Sequence, residues 1–136
     1  MKFDLNLENL HVIQLWVLEK IKDYHLDSKF SKKIQLIVEE VLVNIFYHAY
    51  DKKQNTVYLE IETSSSDSFK LIVKDKGPYF DPTSYKSKID KNLLLEEKKE
   101  GGIGLLLVKE YAKEIKYNRD NNLNVLILTI NLDPFR

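Results

Sequence analysis

Leu71-Ile72-Val73-Lys74-Asp75-Lys76-Gly77-Pro78-Tyr79-Phe80-Asp81-Pro82 begins as an apolar run and ends in a carboxylate, a glycine and two prolines. Phe69, Leu71 and Val73 recur at every second position up to Asp75, the period of a strand. Such a strand delivers Asp75 to the end of a sheet. Gly77 then leaves open the space where a side chain would block a flat ligand. A carboxylate so placed can accept a hydrogen bond from an exocyclic amine such as that of adenine. A strand followed by an ordinary turn explains the same residues.

Before this stretch, Val57, Leu59 and Ile61 alternate with Tyr58, Glu60 and Glu62, and a Ser-rich turn spans Thr63 to Ser68. The two runs read as a hairpin. Further back, Asp27-Ser28 and Ser31 are candidate caps for a helix running to about Tyr50. It carries Ile34, Ile37, Val38, Val41, Ile45 and Ala49 on one face. Leu10, Ile13, Val17 and Ile21 predict an earlier helix from Glu8 to Tyr24. Phe3, Leu5 and Leu7 predict a short strand before it.

Beyond Pro78, residues 79–100 are polar and rich in Lys and Glu around Leu93-Leu94-Leu95. A segment of this length without periodicity reads as a lid or mobile loop. A helix over Gly104 to Lys113 follows, then strands over Glu114–Arg119 and Asn124–Leu132 around the turn Asp120-Asn121-Asn122. The order is β-α-α-β-β-lid-α-β-β. Strands joined by tight turns are antiparallel, and the helices must cover one face. The expected fold is α+β: a two-layer sandwich with a mixed, mostly antiparallel sheet and helices on one face. The 136 residues are read as a single domain.

Composition narrows the function. Lys plus Arg is 21 and Asp plus Glu is 21. A zero net charge argues against a nucleic-acid binder or membrane sticker that relies on a strong positive field. The chain has no cysteine, so thiol nucleophiles and Cys-based zinc sites are excluded. No signal-peptide pattern opens the chain, and no apolar run approaches the ~18 residues of a membrane span. The cytosol is the expected compartment. Glycines are four: Gly77, Gly101, Gly102 and Gly104. Their concentration at two places suggests backbone brought close to a ligand, although two ordinary loops would use them as well.

Two further motifs carry chemistry. In Glu39-Glu40-Val41-Leu42-Val43-Asn44, Glu40 and Asn44 stand one helical turn apart on the same face. A carboxylate and a carboxamide so spaced can hold a water or a hydrated hard cation. A solvated helix face is the plainer reading of the pair alone. Glu100-Gly101-Gly102-Ile103-Gly104-Leu105 opens the next helix, whose free N–H groups can meet an anion. It lacks the third glycine of a dinucleotide fingerprint and the Gly-Lys-Ser/Thr of a P-loop.

Taken together and in order, these motifs resemble the Bergerat-fold ATPases, the GHKL group that includes gyrase, histidine kinases and MutL. The likeness runs from about residue 31 to 132. Within that group the chain is most similar to the short anti-sigma-factor serine kinases, through Glu39-Glu40 with Asn44 and His48-Ala49-Tyr50, through Asp75 and Gly77 with Phe80-Asp81-Pro82, and through Gly101-Gly102-Ile103-Gly104-Leu105. Asn124 also sits where that family places an Asn in its last strand.

The resemblance implies ATP and Mg²⁺ as cofactors. Asn44 would coordinate Mg²⁺, Glu40 would be the general base, and Asp75 would bind the adenine amine with Gly77 beside the ring. Gly102 and Gly104, with Gly101, Ile103 and Leu105 around them, would offer backbone to the phosphates. Residues 83–100 would form the ATP lid. The only arginines are Arg119 and Arg136, so Lys98, Lys99 or Lys109 would replace a lid arginine. The family often carries an acidic residue where this chain has Lys113. The implied function is an anti-sigma factor and protein serine/threonine kinase, which binds a sigma factor or other regulator and phosphorylates a STAS-domain anti-anti-sigma partner. The alternative is a nucleotide-binding regulatory module without phosphotransfer. A homodimer is expected by resemblance and from the short first strand at a sheet edge.

Overall fold

A computed structural model of the chain describes residues 1–47, 56–78 and 102–133. Five strands and three α-helices make up these residues: β1 (Lys2–Asp4), α1 (Leu10–Lys20), α2 (Ser28–Tyr47), β2 (Thr56–Glu62), β3 (Ser68–Asp75), α3 (Gly102–Tyr111), β4 (Ala112–Asp120) and β5 (Leu123–Asn131). The sheet order is β1-β2-β3-β5-β4. All four pairings are antiparallel, so the sheet is antiparallel throughout the described strands and not mixed. The reason is topological. β3 and β4 run in the same direction, but β5 lies between them and pairs with both.

The inner face of the sheet follows from alternation. Val57, Leu59, Phe69, Leu71, Val73, Leu126, Leu128 and Ile130 are buried. Opposite them, α1 contributes Ile13 and Val17, and α2 contributes Phe30, Ile34, Ile37, Val38, Val41, Leu42 and Ile45. That α2 spacing is a wide apolar stripe, which buries a whole helix face against the sheet. Asp27 starts the helix by accepting the Phe30 backbone N–H at 2.7 Å. Packing also joins α2 to α3: Phe30 meets Tyr111 edge-on at 6.4 Å, and Lys33 Nζ donates to the Tyr111 hydroxyl at 2.9 Å.

Three boundaries differ from the sequence pattern. β1 stops at Asp4, and Leu7 is 63% exposed. Asn6 and Asn9 intervene: the Asn9 N–H donates to Asn6 Oδ1 and its amide donates to the Asp4 carbonyl, each at 2.7 Å. These local bonds end the strand and delay α1 until Leu10. α1 then ends at Lys20, and a separate 3-10 turn covers Lys22–Tyr24 before His25 adopts φ 54°. Finally, α3 begins at Gly102 and gives way directly to β4 at Ala112, so Lys113 lies on a strand. The turn between β4 and β5 falls where expected, with Asn121 and Asn122 both at positive φ (50° and 64°). That is the backbone of a tight type I′ hairpin, which suits Asn.

Candidate functional site

Two clusters emerge. The first lies on α2. Asn44 Nδ2 donates to the Glu40 carbonyl at 2.8 Å and to Glu40 Oε1 at 3.2 Å. The helical spacing therefore does bring the two side chains together, and both are half-buried. With Nδ2 committed inward, the Asn44 carbonyl oxygen takes no hydrogen bond from any described residue. It is a hard oxygen donor available to a cation. Among the described residues no three His, Cys, Asp or Glu side chains cluster to form a metal cage. The donor set thus suits a cation that keeps most of its water and other oxygen ligands, as Mg²⁺ does.

Gly104 completes this cluster in a way that sequence reasoning missed. A Cβ at Gly104 would lie 2.8 Å from Glu40 Cβ and 2.9 Å from the Leu36 carbonyl oxygen. The glycine lets the start of α3 press against the backbone of α2 at the root of the Glu40 side chain. Three glycines so close in sequence mask this role, because a glycine for helix packing reads the same as one for an anion. Gly102, Ile103 and Leu105 share the first turn of α3 with it. The N–H groups of a first turn have no partner within their own helix. Lys109 sits in the last turn of α3, its backbone about 10 Å along the axis from Gly102. Gly101, Lys98, Lys99, the lid expected at 83–100, His48-Ala49-Tyr50 and Phe80-Asp81-Pro82 lie outside the described residues.

The second cluster lies at the end of β3. Asp75 is its last residue and is only 6% exposed. Oδ1 of Asp75 accepts the Gly77 backbone N–H at 2.8 Å and Asn124 Nδ2 at 3.3 Å. Oδ2 takes no hydrogen bond from any described residue. A buried carboxylate oxygen without a donor is costly unless a ligand supplies one. Burial pushes the Asp75 carboxyl above its ordinary pKa, opposed by the Gly77 N–H, the Asn124 amide and the Arg119 charge. Asn124, itself 6% exposed, faces Asp75 directly across the β3–β5 ladder.

Behind Asn124 stand two residues that the sequence reading left without a role. The Tyr117 hydroxyl donates to Asn124 Oδ1 at 2.5 Å, and Arg119 Nη1 donates to the same oxygen at 3.0 Å. Arg119 Nη1 also donates to the Gly77 carbonyl at 2.8 Å. Their only sequence signal was the alternation of Tyr117 and Arg119 on the inner side of a strand that ends in a tight turn. No described hydrogen bond joins the Asp75 cluster to the Glu40 cluster. Among the described residues no helix is long and apolar enough to cross a membrane.

Comparison with known proteins agrees with this geometry. The family model for the histidine kinase-like ATPase domain matches residues 3–130. The serine-protein kinase RsbW of Staphylococcus aureus is 32% identical over 98 residues, which is 67% of this chain and 60% of RsbW. The chain thus spans less than two thirds of the length of that relative. Two solved structures share the fold. The SiaB–SiaC complex from Pseudomonas aeruginosa superposes with a TM-score of 0.65 at 14% identity, covering 96% of this chain and 88% of that one. The histidine kinase domain of a blue-light-activated kinase from Erythrobacter litoralis gives 0.52 at 22% identity, covering 76% and 45%. With nearly its whole length matched and its strand order, helix pair and site motifs in place, the chain belongs to the histidine kinase-like ATPase domain family.

Proposed function

We propose that the chain is an ATP-dependent protein serine/threonine kinase in a partner-switching module. It binds a sigma factor or another regulator and phosphorylates a STAS-domain anti-anti-sigma protein. The observation that carries the nucleotide half of this reading is Asp75: a buried carboxylate with one oxygen saturated by two N–H donors and the other open. An exocyclic amine matches that open acceptor. The kinase half is supported by the Glu40–Asn44 pair and by the likeness to a serine-protein kinase.

Each residue has a task in this reading. Asp75 accepts the adenine amine, and Gly77 keeps the space beside the ring free of a side chain. The first-turn N–H groups of α3, at Gly102, Ile103 and Gly104, face the phosphates, where helix-end dipoles favour negative charge. Gly101, Leu105, Lys98 and Lys99 are assigned to the same phosphate contacts. Asn44 holds Mg²⁺ through the oxygen that its bonds to Glu40 leave free. When bound, Mg²⁺ offsets the negative charge of the phosphates. Glu40, oriented by the Asn44 amide on one side and by α3 on the other, accepts the proton of the attacking serine or threonine hydroxyl. Residues 83–100 close over the nucleotide as a lid. Such a protein works in the cytosol as a homodimer, and the edge of β1, which among the described strands pairs with β2 alone, is a place for the second copy.

The test is transfer of labelled γ-phosphate from ATP to candidate STAS proteins. Glu40→Ala is expected to abolish transfer and to leave ATP binding within a few-fold. Binding of ATP by the wild type without transfer to any STAS partner would leave only a nucleotide-sensing regulatory module. A 16 kDa particle in light scattering at high concentration would remove the dimer.

A further inference from the structure

We propose that Arg119 and Tyr117 are positioning residues that make the site select an amino-purine over a keto-purine, by fixing which way the Asn124 amide faces. This rests on reading Asp75 as the acceptor for the base.

A carboxamide has a donating end and an accepting end, and its neighbours decide the orientation. Asn124 Oδ1 receives two donors from β4, the Tyr117 hydroxyl at 2.5 Å and Arg119 Nη1 at 3.0 Å. Its Nδ2 end meets acceptors only: the Pro78 carbonyl at 2.8 Å, Asp75 Oδ1 at 3.3 Å and the Gly77 carbonyl at 3.5 Å. Turned over, the amide would set its oxygen against all three acceptors and its NH₂ against Arg119, a group that can only donate, while the Tyr117 hydroxyl would have to turn from donor to acceptor.

Arg119 also grips the loop itself. Gly77 is held at its N–H by Asp75 and at its carbonyl by Arg119 Nη1, both at 2.8 Å. β4 therefore braces the 75–78 turn from behind, across 42 positions of sequence. The consequence falls on Asp75. One oxygen is filled by the two N–H donors, and the other presents an acceptor that no described residue meets with a donor. A base that meets this oxygen must bring an N–H, as adenine does at its amine. Guanine would bring its keto oxygen against the carboxylate. Removing Arg119 frees the amide to turn and the loop to shift, and the preference weakens. Its positive charge, which opposes the effect of burial on Asp75, is lost at the same time.

The test uses the full chain and four variants: Arg119→Met, Arg119→Lys, Tyr117→Phe and Asp75→Asn. Calorimetric affinities for ATP and GTP are measured with Mg²⁺ present. Arg119→Met is expected to weaken ATP about tenfold or more, the effect of losing buried bonds to a charged group, and to narrow the ATP-to-GTP ratio by a similar factor. Arg119→Lys should recover part of the ratio, since an ammonium can reach one of the two acceptors. Tyr117→Phe, which deletes one hydroxyl, should narrow the ratio by a smaller factor. It keeps the inference testable if Arg119→Met does not fold. Equal loss of ATP and GTP affinity in both variants would mean structural damage and would overturn the inference. So would an unchanged ratio in variants of a protein whose ATP binding is lost in Asp75→Asn, and the site reading would then survive alone. No ATP binding by the wild type overturns both.

Discussion

Replacing Gly104 by alanine asks whether the Glu40 cluster is built by helix contact or only by its own helix. The added methyl would lie 2.8 Å from Glu40 Cβ and 2.9 Å from the Leu36 carbonyl oxygen, against 3.4 Å where ordinary contact begins. Neither neighbour is the free end of a side chain, so α3 must back away from α2. Overpacking of this kind costs about 1–3 kcal/mol. Alanine recovers at most about 1 kcal/mol over glycine in a helix, and less in a first turn. The net expectation is a loss of about 1–2 kcal/mol, or a melting temperature lower by about 3–10 °C for a domain of this size. Glu40 is displaced with its helix, and a misplacement approaching 1 Å lowers phosphotransfer about 10- to 100-fold. Thermal denaturation and labelled-phosphate transfer read the two effects separately. A variant as stable and as active as the wild type would refute the packing argument. Wild-type stability with weakened ATP affinity would assign Gly104 to phosphate contact alone.

Other outcomes follow from the same structure. Burial raises the Asp75 pKa, so the folded chain holds this proton at a higher pH than the unfolded chain does. Stability is then greatest below the ordinary carboxylate range and falls as pH rises towards the raised value. Asp75→Asn should accordingly raise the melting temperature of the nucleotide-free protein at neutral pH and flatten its acid-range pH dependence; a lower melting temperature at neutral pH would contradict this. Phe30 is fully buried against Tyr111, so Phe30→Ala should cost about 3–5 kcal/mol in urea denaturation, and a loss near zero would show a loosely packed α2–α3 contact. At Asn122, with φ 64°, valine should destabilise by about 1–2 kcal/mol and glycine should be nearly neutral; equal effects would argue against a left-handed turn residue.

Much of this architecture was legible because it is written in local periods. The α2 stripe from Ile34 to Ile45, the alternation in β2, β3 and β5, and the Asn121–Asn122 turn each follow from neighbours a few positions apart. The motif order around Glu40, Asp75 and Gly102 was enough to suggest a family that the matched domain supports. Boundaries were less legible where one residue suits two elements. Ile21 is buried and continues the α1 stripe, yet it sits just past the helix end. Tyr111 and Ala112 are both buried and serve a helix end and a strand start equally well. The contacts that shape the site were hidden because they are non-local. Gly104 meets α2 in space, and Arg119 reaches a carbonyl 42 residues away. Neither partner is written beside the residue that needs it.

Calorimetric titration of ATP with Mg²⁺ into the wild type and Asp75→Asn is the most direct measurement of all. The open Asp75 oxygen calls for micromolar binding by the wild type and a loss of at least about tenfold in the variant, because the carboxamide can put its NH₂ where an acceptor is required. Equal ATP affinity in the two proteins, or none in the wild type, would contradict a nucleotide site built on Asp75.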